Sequence, residues 1–172
     1  MKKMMLSMVC VAMVGMLGAC GRQDTISPAP TEYEKVGGQD DSQQIANPWT
    51  EYASLEEAQK AAGITVQIPE QINQLEQSAW QACGTELLEV DYQDADGNKL
   101  YVRKAPGTDD ISGDYNEYAE TTAVIVNDIT VTMKGADGMV QLAVWSVDGN
   151  SYAVGGCNLT MDAMIDVVGQ IQ

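Results

Sequence analysis

The sequence predicts an α+β fold: an antiparallel β-meander sheet with a short N-terminal helix and a C-terminal helix packed on one face. Three observations predict it. Apolar residues alternate with polar ones in short runs from Ile64 onward, the period of half-buried strands. Dipeptides suited to tight hairpins separate several of these runs: Asp96-Gly97, Asn127-Asp128, Asp137-Gly138 and Asp148-Gly149. Helical periodicity is confined to the two ends of the patterned region, so the helices must share the sheet face that needs covering.

Residues 1–19 read as a lipoprotein signal peptide. Lys2 and Lys3 precede an apolar stretch, 4–16, and Leu17-Gly18-Ala19-Cys20 follows at once. Those four residues resemble the lipobox of bacterial lipoproteins. The resemblance implies that Cys20 is diacylglycerylated, that the leader is cut before it, and that Cys20 becomes the first mature residue. A plain secretory signal or an uncleaved helix are the alternatives, although the apolar stretch is short for a membrane span. Residues 20–46 carry Ser27-Pro28-Ala29-Pro30, Gly37-Gly38 and a run of Gln, Asp and Ser. Too little apolar surface is present to offset ordering entropy, which predicts a disordered tether reaching about 28 Å.

A single α+β domain is expected over 47–172. Ser54-Leu55-Glu56-Glu57 forms a capping box, with Leu55, Ala58, Ala61 and Ala62 as the apolar stripe and Gly63 as the terminator. Ile64, Val66 and Ile68 then alternate as in a strand until Pro69. Further strands are expected at 75–82, 85–92, 99–104, 121–126, 129–133, 139–147 and 151–154. Thr160 caps a last helix that aligns Met164, Ile165, Val168 and Ile171. Phenylalanine is absent, so Trp49, Trp80, Trp145 and several tyrosines are expected to fill the aromatic core.

Composition narrows the function. The 172 residues include 25 acidic and 9 basic side chains and no histidine. There can be no Ser-His-Asp or Cys-His relay and no His-ligated metal. Removing 1–19 leaves 25 acidic against 7 basic groups, a formal charge of −18, which argues against nucleic acid and against adsorption to anionic lipid. A covalent anchor on Cys20 is the expected membrane contact.

Four features hold candidate chemistry. Asp109, Asp110, Ser112, Asp114, Asn116 and Glu117 place hard oxygens in one loop, as calcium would require, but the spacing departs from an EF-hand. A structural loop built on Asp110, Ser112, Gly113, Asp114 and Asn116 is the favoured reading, because these residues satisfy turn backbone with their own side chains. The second feature, Asp94-Ala95-Asp96-Gly97-Asn98, is similarly suggestive and similarly incomplete. Third, Cys83 and Cys157 are expected to form a disulfide outside the cell, two separate buried thiols being the alternative. Last, Arg103 and Lys104 should point to opposite faces of a strand and pair locally with Asp109, Asp110 or Asp114. Neither a metal nor a cofactor is expected, and no catalytic residue.

Asn47-Pro48-Trp49, Ser54 to Ala58, Ala61-Ala62-Gly63 and Arg103-Lys104-Ala105 resemble a bacterial family of domains of unknown function, number forty-three sixty-seven. The likeness is densest at Asp110-Ile111-Ser112-Gly113-Asp114-Tyr115-Asn116 and Tyr118, and continues through 131–135 and Ala143-Val144-Trp145. It implies an extracytoplasmic lipoprotein, or the external part of an anti-sigma-related regulator, and brings no catalytic residue. The function expected is a membrane-anchored, non-enzymatic binding or sensing module of the cell envelope. It would act on an unknown protein or envelope component at the extracytoplasmic face of the membrane. A small carboxylate-dependent envelope hydrolase or a calcium-dependent factor is the alternative.

Overall fold

The computed structural model describes residues 47–172; the leader, Cys20 and the tether lie outside the described residues. The chain runs β1 (Thr50–Tyr52), α1 (Leu55–Ala62), β2 (Gln71–Ile72), β3 (Leu75–Cys83), β4 (Leu87–Gln93) and β5 (Lys99–Pro106). It continues as β6 (Glu120–Val126), β7 (Ile129–Ala136), β8 (Met139–Val147), β9 (Asn150–Thr160) and α2 (Met161–Val168). Every strand pairing is antiparallel, and the sheet order is β1-β3-β4-β5-β9-β8-β7-β6, with β2 added on β3. Two meanders therefore meet where β5 pairs with β9.

Local chemistry explains the elements. Ser54 Oγ accepts the Glu57 N–H at 3.3 Å, and Glu57 Oε2 reaches back to the Ala53 N–H, one residue before the cap. Gly63 ends α1 in the left-handed region at φ 67°, and Thr160 Oγ1 caps α2 by accepting the Ala163 N–H. The turns Asn127-Asp128, Asp137-Gly138 and Asp148-Gly149 have positive φ at both central residues, the requirement of a type I′ hairpin.

Both helices cover one sheet face. Ala58 and Ala62 of α1 and Met164, Val167 and Val168 of α2 pack on Leu88, Val90, Tyr92, Leu100, Val102 and Val154, all buried. Trp145 stacks on Tyr152 with ring centroids 5.1 Å apart, and Lys104 lies over that tyrosine while donating to the Thr65 carbonyl at 2.8 Å. Tyr92 is buried whole; its hydroxyl donates to the Pro69 carbonyl at 2.7 Å.

Several expectations are corrected. Residues 64–68 are extended but outside the ladder; Ile64 and Val66 are buried, and Gln67 instead exchanges two backbone bonds with Gln172. Trp49 is not a core residue: it stands on the face opposite the helices, over Arg103. Cys83 and Cys157 are free thiols. Cys83 lies beyond the register row of Leu88, Lys104 and Tyr152, whereas Cys157 lies past Gly155 at the other end of β9. Level with Ser151, Cys83 is offset from Cys157 by six residues, about 20 Å along the strands and far outside disulfide reach.

Candidate functional site

Strand alternation puts one set of side chains on the face without helices. The register row Gln81, Glu89, Arg103, Ala153 and its neighbour row with Asp91, Tyr101 and Gly155 both face that way. Arg103 is the hub. Its Nε donates to Glu89 in an ion pair whose side chains are only 18% and 9% exposed. Its guanidinium lies 4.6 Å from the Tyr101 ring centroid and 5.5 Å from that of Trp49. Nη1 donates to the carbonyls of Ile111 and Ser112, and the Tyr101 hydroxyl donates to the same Ser112 carbonyl at 3.2 Å. The Tyr101 ring can lie flat only because its cross-strand partner is Gly155; a Cβ there would stand 2.6 Å from the Tyr101 hydroxyl.

These contacts clamp the β5–β6 connection, 107–119, across the sheet. The Gly107 N–H donates to the Gly149 carbonyl, Ser151 Oγ donates to the Gly107 carbonyl, and Lys134 Nζ on β7 pairs with Asp110 Oδ2 at 3.3 Å. The loop thus touches strands of both meanders. Within it a relay of side chain-to-backbone bonds fixes each turn. Asp110 Oδ1 accepts the Ser112 N–H, Ser112 Oγ accepts the Asp114 N–H, and Asp114 Oδ1 accepts the Asn116 N–H. The remaining Asp114 oxygen accepts the Tyr118 hydroxyl. Gly113 sits at φ +64°, and a Cβ there would come 2.7 Å from Arg103 Nη1. The relay leaves one large apolar group outside: Tyr115 is 96% exposed.

The electrostatics follow from this wiring. The Tyr118 hydroxyl and the Asn116 N–H hold Asp114 below the usual carboxylate range. Burial works against ionisation of Asp110, but the Ser112 bonds and Lys134 outweigh it, and its pKa is lowered. Tyr118 is pushed up to about 12 by burial and by Asp114. On β4 the direction reverses. Burial raises Glu89 despite the opposing Arg103 bond and charge, and it raises Asp91 despite Gln81 Nε2, which donates to both carboxylates. A shallow depression of about 450 Å³ beside Asp91 is lined by Ser78, Lys99 and Tyr101.

The structure brings together Asp110, Ser112, Gly113, Asp114 and Asn116, and joins them to Arg103. It corrects the partner expected for the basic doublet: Arg103 binds Glu89, Lys104 crosses to the helix face, and Lys134 takes Asp110. Among the described residues no group of three or more acidic, His or Cys side chains is placed to hold a metal ion. In the second acidic turn Asp94 accepts the N–H groups of Asp96 and Asn98 and the Asn98 amide. Sequence reasoning missed Trp49, Gln81, Glu89, Asp91 and Tyr101. The odd-numbered positions of β4 and β5 carry that signal, since Leu88, Val90, Tyr92, Leu100 and Val102 claim the core face.

No protein-family model matches this chain, and neither a curated protein nor a solved structure matches it.

Proposed function

We propose that this is an extracytoplasmic lipoprotein of the kind its resemblance to family forty-three sixty-seven implies, anchored through a lipid on Cys20. Its domain is a non-enzymatic binding module of the cell envelope. One observation supports the binding role: the clamped loop 107–119 commits Asp110, Ser112 and Asp114 to its own backbone and holds Tyr115 out, 96% exposed. A large aromatic body on a fixed backbone costs little entropy to immobilise in a contact, which is what a recognition surface needs. The test has two arms. Cys20→Ala should leave uncleaved precursor or shed protein, and normal membrane retention of that variant would refute the anchor. A photo-crosslinker at position 115 should give a discrete adduct in the protein's own cells that one at Asp162 does not. Equal labelling from both positions would refute the recognition surface.

A second reading, a carboxylate-dependent hydrolase, is favoured by one feature: Glu89 and Asp91, both raised by burial, share a face and a glutamine. Against it, Glu89 is already committed to Arg103. Hydrolysis of an envelope polysaccharide that disappears in Asp91→Asn would decide for the enzyme.

A further inference from the structure

The two ends of the sheet are built differently. At one end the edge is blunted: β1 has three residues, β2 has two, and β3 bulges between Gln77 and Ala79. At the other end β6 is seven residues long, Glu-Thr-Thr-Ala-Val-Ile-Val, and among the described residues pairs only with β7. It carries no proline and no lysine, and its register against β7 runs unbroken from Glu120 to Val126. The two-residue turn makes Val126 and Ile129 a hydrogen-bonded pair, so alternate residues bond inward from there. Thr121, Ala123 and Ile125 consequently turn their backbone N–H and C=O groups outward. All three are exposed, and Ile125 keeps 67% of its surface in solvent.

We propose that β6 is a strand-addition site that takes an extended, basic segment of a partner protein as a further antiparallel or parallel strand. The backbone groups of 121, 123 and 125 would supply the hydrogen bonds, and Ile125 an apolar contact. Charge selects the occupant. Residues 47–172 carry 20 acidic against 5 basic side chains. Glu117, Glu120 and Asp128 flank the strand, and among the described residues the cation beside it, Lys134, is held by Asp110. A second copy would bring the same acidic flanks alongside, whereas lysines or arginines at the ends of an incoming strand meet them favourably. The inference rests on the edge and not on the anchor or on Tyr115.

The test uses the full chain and three synthetic peptides. One alternates Thr and Val between terminal lysines, one has glutamates in place of the lysines, and one is the lysine peptide with alternate amides N-methylated. Amide hydrogen exchange is read residue by residue. The lysine peptide should slow exchange at Thr121, Ala123 and Ile125 by about tenfold or more and leave Thr122 and Val124 as they were. Neither control peptide should do so. Ala123→Pro, which removes an outward N–H from an edge strand, and Ile125→Lys, an exposed site, should each abolish the effect. Protection by the glutamate peptide, undiminished protection in both variants, or no protection at all would overturn the proposal. So would protection without peptide that grows with protein concentration, which would assign the edge to a second copy.

Discussion

Arg103 does three jobs with one side chain: it neutralises Glu89, stacks with Tyr101 and Trp49, and ties down the loop carbonyls of Ile111 and Ser112. Only a planar fork with several donors can do so, which is why lysine is no substitute. Arg103→Met should cost about 3 kcal/mol in chemical denaturation, because Glu89 is left buried and unpaired. Adding Glu89→Gln should recover part of the loss. The pH dependence has a definite sign. Glu89 has a folded-state pKa above its ordinary value, so its ionisation opposes folding. The Arg103→Met variant should therefore regain stability as pH falls through that raised value, and a flat profile would show that Glu89 is not the cause.

At the scale of elements, the loop 107–119 behaves as a built part of the sheet. Asp114 and Asp110 both titrate below their ordinary range, so the stability they contribute is present above an unfolded value of about 3.9. It is lost as pH falls through their lowered folded values. Asp110→Asn with Asp114→Asn should flatten the acid limb of the stability curve, measured by thermal melts at stepped pH. Gly113→Ala combines positive φ with a close approach to a pinned guanidinium, and should cost about 1–2 kcal/mol. An unchanged midpoint would mean that Arg103 yields. These elements were legible to different degrees. Ser54, Gly63 and Thr160 announce both helices, and the Asn-Asp and Asp-Gly turns announce the hairpins, because capping and turn chemistry act within a few residues. Ile64, Val66 and Ile68 misled because burial of alternate side chains needs an extended backbone, not a paired one. The clamp was half legible: Asp110 to Asn116 reads as turn chemistry, but Glu89 and Tyr101 reach Arg103 only through a register set across strands.

At the scale of the whole molecule no disulfide links the described strands, since Cys83 and Cys157 stand at opposite ends of the sheet. The melting midpoint should be indifferent to reductant, and both thiols should alkylate in denaturant without prior reduction. A drop in midpoint with reductant would contradict the register itself. Cohesion between the two meanders rests instead on the β5–β9 ladder, where Tyr101 meets Gly155 and Pro106 meets Asn150, and on the loop 107–119 that bridges them. β9 is the last strand in the chain, yet it fills the middle of the sheet. Until it has been made, β5 and β8 are both raw edges, and neither meander has its central neighbour. Closing a contact of such long sequence separation is slow, and it comes only when nearly the whole polypeptide is available. Folding is thereby postponed to a single late event, and a chain caught halfway through its synthesis remains threadable.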